Sequence, residues 1–425
     1  MRIDELHLAI AKGELDQKIA QIIGNDDVTR ERERYFTLID QALEAFGDGD
    51  YHFISSPGRA EIGGNHTDHQ HGHVLAAGLN VDNLAIVKRR DDLKAIFLDP
   101  HFPRIEIDLH DLLIREEEKN SSESLIRGIA SKLKDMGYLV GGFEAICDSR
   151  VLIGSGISSS ACFEVLIVEI FNKLFNEEKI NAIERALVSQ YAENVYFGKP
   201  SGLLDQLAIS IGGFTAVDFK DPSKPVIENF NFSFSDHGYE LLIINTKGSH
   251  SDLSHEYAAI PNEIKEVAKE LGVEYLADSS LDVLLENLSA IREQVGNDRA
   301  ILRSLHFYNE DVRAIKEKEA VKNNDVEELL RLMKESGHSS YMYLQNVYAA
   351  SAYKSQSLAM ALCLCDLLLK DRGSYRIQGG GFEGTIQAVV PHDMLESFKE
   401  SIAAVFGENA IITAKIRPFG TAAIV

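Results

Sequence analysis

Ser55-Ser56-Pro57-Gly58-Arg59-Ala60-Glu61-Ile62-Gly63-Gly64-Asn65-His66-Thr67-Asp68-His69-Gln70-His71-Gly72-His73 is the stretch around which the 425-residue chain is organised. It sets a Pro-Gly turn and an arginine beside glycines and a dense run of imidazoles, amides and carboxyls. A purely structural segment does not gather so many groups that are costly to bury next to glycines that bring the backbone close to something. Three readings compete. The first is a hydrogen-bonding cage for a polyhydroxyl ligand, with Asp68 as acceptor, His66 and Asn65 as donors and Arg59 as a fixed cation. The second is a polar surface loop. The third is a metal site built from His66, His69, His71, His73 and Asp68. The chemistry ranks them in that order, because the spacing fits neither H-E-x-x-H nor a Cys/His finger.

A chain of this length divides by default into two or three domains. Hydrophobic residues make up 45% and charged residues 26%, ordinary for a globular enzyme. The net charge of −23 argues against a nucleic-acid partner, whose phosphates demand a basic surface. A bound phosphate must then be held locally, by backbone amides, a few cations or Mg²⁺. The four cysteines, Cys147, Cys162, Cys363 and Cys365, show no metal spacing and read as reduced thiols, which with the absence of an export signal or membrane span predicts a cytoplasmic protein. Oligomeric state is left open, and a monomer is compatible with everything in the sequence.

Working outward, 5–46 reads as two or three amphipathic helices broken at Gly24-Asn25-Asp26-Asp27. A short strand over 51–55 enters the opening motif, and 74–90 leaves it through Leu79-Asn80-Val81 and a strand over 84–88. Alternating pieces at 95–98 and 105–109 follow, then a helix over 122–136 capped by Ser122 and stopped by Gly137. After a strand at 143–147, helices are predicted over 162–175, 183–197 and 203–210. Strands come next at 214–219 and 239–245. Helices dominate beyond 255, at 256–271, 281–295, 299–321, 326–335 and 358–369. The C-terminus returns to strand, loop, strand, helix and strand between 375 and 416. Irregular interleaving points to an α+β fold of mixed sheets in two lobes. The expected division is a helical extension over 1–48, an N-terminal lobe over 49–220 and a C-terminal lobe over 221–425.

Four further features carry chemistry. Gly154-Ser155-Gly156-Ile157-Ser158-Ser159-Ser160 is a glycine-serine turn feeding an apolar helix, a nest of backbone amides at a helix N-terminus suited to phosphate. Alone, it reads better as a serine-capped core helix. Glu193, on a half-buried helix, reads either as an ion-pair partner or as an Mg²⁺ ligand opposite a serine hydroxyl. Asp205, in the first turn of the helix opened by Ser201-Gly202, reads as a dipole-stabilised cap or as a site carboxylate. Gln378-Gly379-Gly380-Gly381-Phe382-Glu383-Gly384 holds more glycine than a tight turn needs.

Taken together and in order, these segments resemble the galactokinase branch of the GHMP small-molecule kinases. The family motif Pro-Gly-Arg-Val-Asn-Leu-Ile-Gly-Glu-His-Thr-Asp is similar to Pro57 through Asp68, Gly-Leu-Ser-Ser-Ser-Ala to Gly156 through Ala161, and Gly-Gly-Gly-Phe-Gly-Gly to Gly379 through Gly384. Ala192-Glu193, Gly202-Leu203-Leu204-Asp205-Gln206, the segment from Asn245 to Tyr257 and Arg331 to Ser336 also match family stretches. The resemblance implies a two-lobed GHMP-kinase-like fold with the active site in the cleft between lobes. It implies transfer of the ATP γ-phosphoryl group to the anomeric hydroxyl of a galactose-like sugar. On it, Asp205 and Arg59 are catalytic, and Asn65, His66, Asp68, Gly202 and Tyr257 grip the sugar. The loop Gly154, Ser155, Gly156, Ile157, Ser158, Ser159 and Ser160 wraps ATP, and Ser160 (or Ser159) with Glu193 holds Mg²⁺. His69 is a further candidate for the sugar. Asn65 stands where the family has glutamate, Ser249 where it has arginine, and Glu383 where it has glycine. The first of these departures bears on the C6 end of the sugar and keeps a uronic acid in view as the substrate, and drift of this kind keeps a non-catalytic sugar and ATP sensor in view.

Overall fold

In the computed structural model, residues 1–24, 28–100, 102–151, 154, 156–199, 201–222, 224–247, 253–382 and 384–425 are described. Asn25, Asp26, Asp27, Ser155, Ser249 and Glu383, each named above, lie outside these residues. Three helices lead, α1 (Ile3–Ala11), α2 (Asp16–Ile23) and α3 (Val28–Phe46), followed by β1 (His52–Gly63), β2 (His73–Arg89), β3 (Lys94–Leu98) and β4 (Ile105–Asp108). Then come α4 (Ser122–Asp135), β5 (Phe143–Ser149), α5 (Ser159–Phe175), α6 (Ala182–Tyr191), α7 (Leu204–Ile211), β6 (Phe214–Asp218), β7 (Val226–Phe230) and β8 (Tyr239–Asn245). The remainder runs α8 (Ser254–Glu270), α9 (Leu281–Glu286), α10 (Leu288–Val295), α11 (Asp298–Lys322), α12 (Val326–Ser339), α13 (Ser357–Leu369), β9 (Ser374–Ile377), β10 (Thr385–Pro391), α14 (Leu395–Phe406), β11 (Ile411–Ala414) and β12 (Ala422–Ala423).

Among the described residues the strands form two sheets. The larger has the order β12-β1-β2-β5-β3-β4, with β6 also on β2 and β7 on β6; the smaller has the order β11-β8-β10-β9. All pairings are antiparallel except β3 with β5. The central strands β1, β2 and β5 of the larger sheet are largely buried on both faces, and their two-residue period divides the side chains between them. Phe53, Leu84, Ile86 and Ile146 face the leading helices through Leu6, Ile19, Tyr35 and Leu38. Their neighbours Ile54, Ala85, Val87 and Cys147 face α4 and α5 through Ile126, Ile129, Leu166 and Phe171. The smaller sheet does the same: Leu242, Ile244, Ile386 and Ala388 pack on α13 and α14. Leu241, Ile243 and Val389 instead join a core shared with Ala60, Ile62, Leu75, Val165 and Met333. This shared core lies directly under the stretch from Pro57 to Gly63.

The α+β class and the mixed sheets agree with the sequence reading, while several boundaries differ. The opening strand does not stop at 55 but continues through Gly63 as β1. Ser121, not Ser122, caps α4 by accepting from Ser124 N at 3.3 Å. The expected helix over 183–197 is α6 followed by a wider π-type turn from Ala192 to Phe197. That over 281–295 breaks at Asn287. β7 and β12 carry too little apolar patterning to announce themselves and form through backbone pairing with β6 and β1. No described helix is long and apolar enough to cross a membrane.

The leading helices are fixed by charge as well as by apolar packing. Arg34 on α3 is buried; it donates to Asp82 Oδ1 at 2.6 Å, to the Asp148 carbonyl at 2.7 Å and to the Asp148 carboxylate. Burial alone would push the Asp82 carboxyl up, but Arg34 and Arg417 outweigh it and hold the group below its usual range. Replacing Arg34 with Met is expected to lower stability by about 3 kcal/mol at neutral pH. The deficit should shrink as pH falls far enough to protonate Asp82. A denaturant midpoint that does not move would contradict this role for the pair.

Candidate active site

Arg59 owes its position to an irregularity in β1. The β1–β2 register slips between Pro57 and Arg59, where proline has no amide for the ladder. The Arg59 amide turns to the Ile157 carbonyl at 3.1 Å, and Gly58 permits the approach, since a Cβ there would crowd Ile157. The backbone of β1 is thereby fastened to the glycine-serine turn. The buried Arg59 side chain completes the junction, with Nε on Asp205 Oδ1 at 2.7 Å, Nη2 on Asp205 Oδ2 at 3.0 Å and Nη1 on the Gly156 carbonyl at 2.6 Å. Two parallel N–H···O bonds on one carboxylate fix its plane as well as its distance.

Asp205 sits in the first turn of α7, and Ser158 Oγ also donates to its Oδ2. Burial raises its pKa, yet the charge and hydrogen bonds of Arg59, then the Ser158 bond, overcome this and hold the carboxyl below its ordinary range. It remains about one-third exposed, so one face of the carboxylate is open. Ser158 caps α5 in the left-handed region, φ 63°, and the first bond within that helix runs from Cys162 N to the Ser158 carbonyl. The amides ahead of it point out of the helix end, where they favour an anion. Gly154 is exposed and Ile157 is buried in the core, so Ile157 offers only backbone to a ligand.

Ser160 Oγ lies 3.3 Å from Glu193 Oε1. Glu193 is buried on the π-type turn, a local widening often found at functional sites. Its other oxygen accepts from Gln206 Nε2 at 2.9 Å, and Lys199 Nζ stands 3.3 Å from Oε1. Among the described residues no group of three or more His, Cys, Asp and Glu is arranged to hold a metal ion. Ser160 with Glu193 is instead a two-oxygen set, as suits a hard cation that takes its other ligands from phosphates and water.

The histidines of the opening motif diverge. His71 stacks on Tyr275 with ring centroids 3.6 Å apart, and His73 Nδ1 pairs with Asp311 at 2.9 Å. His66, at φ 62°, places Nε2 3.1 Å from the Gly380 carbonyl. Burial, with His69 adding to it, drives the His66 pKa down to about 3. The ring is therefore neutral, carries its hydrogen on Nε2, and offers an acceptor at Nδ1 rather than the expected donor. Asn65 is likewise committed inside the protein: Nδ2 donates to Glu61 Oε1 at 2.6 Å and to the Gly379 carbonyl at 3.0 Å, while Oδ1 accepts from Asn346. A side chain 1% exposed and bonded at both ends holds the loop and has no donor left for a ligand.

Asp68 Oδ1 accepts from the His69 amide at 3.0 Å, and its other oxygen lies against Gly202, where a Cβ would overlap it. Tyr257, 40% exposed, donates to the Gly381 carbonyl at 2.6 Å and presses on Gly380, with no space for a Cβ there. The structure thus gathers Arg59, Asp205, Ser158, Ser160 and Glu193 on one side and Asp68, Gly202, His66 and Tyr257 beside them. Sequence reasoning missed Gln206, Lys199 and Gln378. Gln378 bridges Arg59 O at 2.9 Å, Gly156 O at 3.3 Å and Glu61 N at 3.2 Å. Gln206 and Gln378 both stood in quoted segments without a role assigned, and Lys199 is the one cation in the loop beside Ser201-Gly202.

Gly202→Ala drives a methyl into Asp68 and is expected to reduce ligand affinity at this subsite about 100-fold while shifting the melting temperature by only a few degrees. Ligand affinity equal to wild type would show that the close contact is not needed.

Known proteins resemble the chain at the same places. Residues 124–213 match the family described as GHMP kinases N terminal domain, and residues 43–89 match the galactokinase galactose-binding signature. A galactokinase of Clostridium tetani is 28% identical over 369 residues, covering 85% of this chain and 89% of its own. One from Lactococcus lactis subsp. lactis is 28% identical over 379 residues, covering 87% and 91%. The crystal structure of Lactococcus lactis galactokinase complexed with galactose superposes with a TM-score of 0.77 at 25% identity, covering 91% of this chain and 99% of that one. The mevalonate kinase of Methanococcus jannaschii shares the fold at a TM-score of 0.61 and 14% identity, covering 87% and 99%. The chain is thus similar to the GHMP kinases over 124–213 and to the galactokinase galactose-binding signature over 43–89, and it resembles galactokinases along most of its length.

Proposed function

We propose that the protein is an ATP-dependent sugar 1-kinase that phosphorylates the anomeric hydroxyl of galactose. The observation that carries this reading is the position of Asp205. Its carboxylate is held by Arg59 and Ser158 at the mouth of the α5 N-terminus, three residues after the glycine that abuts Asp68. A sugar hydroxyl seated against Asp68 and His66 then lies near Asp205, and a phosphate at 154–160 lies near Arg59. On this division 49–220 supplies the phosphate loop and the carboxylate. The 221–425 portion supplies Tyr257 and the glycine loop, and 1–48 packs behind the sheet.

Asp205 is ionised at neutral pH and, with its pKa held down, is a weak base. A loose phosphoryl-transfer transition state needs little proton abstraction and much stabilisation of charge. Asp205 orients the anomeric hydroxyl and accepts its proton late, as the new O–P bond forms. Arg59 stabilises the transferring phosphoryl group, and the exposed Lys199 brings a second cation close to Glu193. Ser160 and Glu193 fit Mg²⁺ by their chemistry, two oxygens with one carboxylate, and would hold it; bound there, the ion would neutralise phosphate charge. Gln206 fixes Glu193 Oε2 and thereby turns Oε1 toward Ser160 and Lys199.

Turnover of galactose, galacturonate, N-acetylgalactosamine and L-arabinose with ATP and Mg²⁺ tests the assignment. Galactose is expected to turn over best, and galacturonate turnover without galactose turnover would overturn it. Asp205→Asn is expected to lower kcat by at least about 100-fold with galactose still bound. Because Asp205 titrates below the usual carboxylate range, wild-type kcat at saturating sugar should vary by less than about twofold between pH 6 and 8. A full-rate Asp205→Asn enzyme, or an acid limb in kcat near pH 7 that this substitution abolishes, would contradict the role given to Asp205.

A further inference from the structure

Behind the proposed sugar subsite lies a charged network that takes no part in the steps above. Glu61 on β1 is buried, and its Oε1 accepts from Asn65 Nδ2 at 2.6 Å and from Arg376 Nη2 at 3.1 Å. Arg376, fully buried on β9, also donates to the Ile62 carbonyl. From Asn65 the bonds run outward. Nδ2 reaches the Gly379 carbonyl at 3.0 Å, and Oδ1 accepts from Asn346, whose Nδ2 also donates to the Gly380 carbonyl at 3.0 Å. The Gly380 carbonyl is the one that His66 Nε2 meets, and the next carbonyl, Gly381, receives the Tyr257 hydroxyl. One buried ion pair is thus linked through the amides of Asn65 and Asn346 to the glycine-loop carbonyls that His66 and Tyr257 meet.

The chemistry at Asn65 makes the link directional. An amide can sit either way round in its density of contacts, and the partners decide which end is N and which is O. Glu61 and the Gly379 carbonyl are both acceptors at one end, and the Asn346 amide is a donor at the other. Remove the negative acceptor and the preference weakens, since a glutamine at 61 can present either a donor or an acceptor. Position 61 also corresponds to asparagine in the motif quoted above, and position 65 to glutamate. The chain holds the same pair of groups with their places exchanged.

We propose that Glu61 is a positioning residue for the sugar subsite, acting through Asn65 to set the Gly379–Gly381 carbonyls and, with them, His66 and Tyr257. The proposal rests on the sugar-kinase reading. The groups that face Glu61 are Arg376 on β9, Arg59 on β1, Asp205 on α7 and Glu317 on α11, with Glu310 and Arg313 behind Glu317. Glu317 itself is accommodated by the missing side chain of Gly63, and neither of its carboxyl oxygens has a partner among the described residues, so it is a neutral acid. Burial raises Glu61 to about 7 against the opposing pull of Arg376 and Arg59. Protonation there weakens the acceptor that pins Asn65, so sugar affinity should fall as pH drops through that value.

The test is calorimetric binding of galactose and, separately, of Mg·ADP to the intact protein, with melting temperatures alongside. Glu61→Gln is expected to weaken galactose about tenfold, to leave Mg·ADP affinity within about twofold, and to abolish the change in galactose affinity between pH 6 and 8. Asn65→Glu, which sets two carboxylates against each other, should weaken galactose at least as much. The double exchange Glu61→Asn with Asn65→Glu restores an amide–carboxylate pair and is expected to recover affinity to within about threefold of wild type. Equal galactose affinity in Glu61→Gln and wild type would overturn the proposal. So would parallel loss of galactose and nucleotide with no recovery in the double exchange, which marks a merely structural group. Wild-type binding of galactose without turnover would count against the kinase reading alone and leaves these comparisons intact.

Discussion

Everything in the site hangs on the guanidinium of Arg59. It is nearly buried, and its Nε, Nη1 and Nη2 donate to a carboxylate and a backbone carbonyl that belong to different parts of the chain. Breaking such a pair by removing one partner strands a charge away from water, at a cost of about 3–5 kcal/mol. The geometry is therefore stiff where phosphoryl transfer needs stiffness. β1, the glycine-serine turn and the start of α7 cannot shift relative to one another without losing these bonds. The same pairing depresses the Asp205 pKa, so the constraint that positions the carboxylate also makes it a poor base. On the mechanism proposed above, such a site works by orientation and charge.

Around this junction the backbone segments approach more closely than side chains allow. Gly156 sits against Thr385, Gly202 against Asp68 and Gly380 against Tyr257, with no space for a Cβ at any of them. The three glycine-rich segments of the sequence thus meet at one site. Close approach lets backbone carbonyls and amides, which cannot swing away as side chains do, form much of the wall. Gln378 ties two of those sides together by reaching both Arg59 O and Gly156 O.

Much of this was legible before the fold was known. Glycine clusters report backbone proximity, and residues such as Arg59, Asp205, Ser160 and Glu193 stand in segments whose order along the chain is itself informative. The long amphipathic helices were readable from their period, as were the strands flanking the opening motif. Direction and partnership were not readable. Nothing in the sequence says that the amide of Asn65 turns inward to Glu61 and Gly379, or that His66 spends its proton on a carbonyl. Both depend on contacts between residues some 310 positions apart, such as Asn65 with Gly379 and His66 with Gly380. The π-type turn that carries Glu193 was hidden for a related reason, since the apolar period continues through it and only the backbone widens. Strands β7 and β12 are short and form because a partner edge exists, which a local pattern does not record.

The exchange of carboxylate and amide between positions 61 and 65 bears on specificity. In this chain the carboxylate stands on β1, paired with Arg376, and the group at position 65 is a neutral amide. The wall of the subsite is accordingly less negative than a glutamate at 65 would make it, while the reacting end, governed by Arg59 and Asp205, is unchanged. The central claim is that these groups direct phosphate to the anomeric oxygen. Its most direct test is carbon NMR of galactose labelled at C1, incubated with the wild-type protein, ATP and Mg²⁺. The account expects the C1 resonance to shift and split by coupling to phosphorus; phosphate on any other carbon, or release of inorganic phosphate with C1 unchanged, would contradict it.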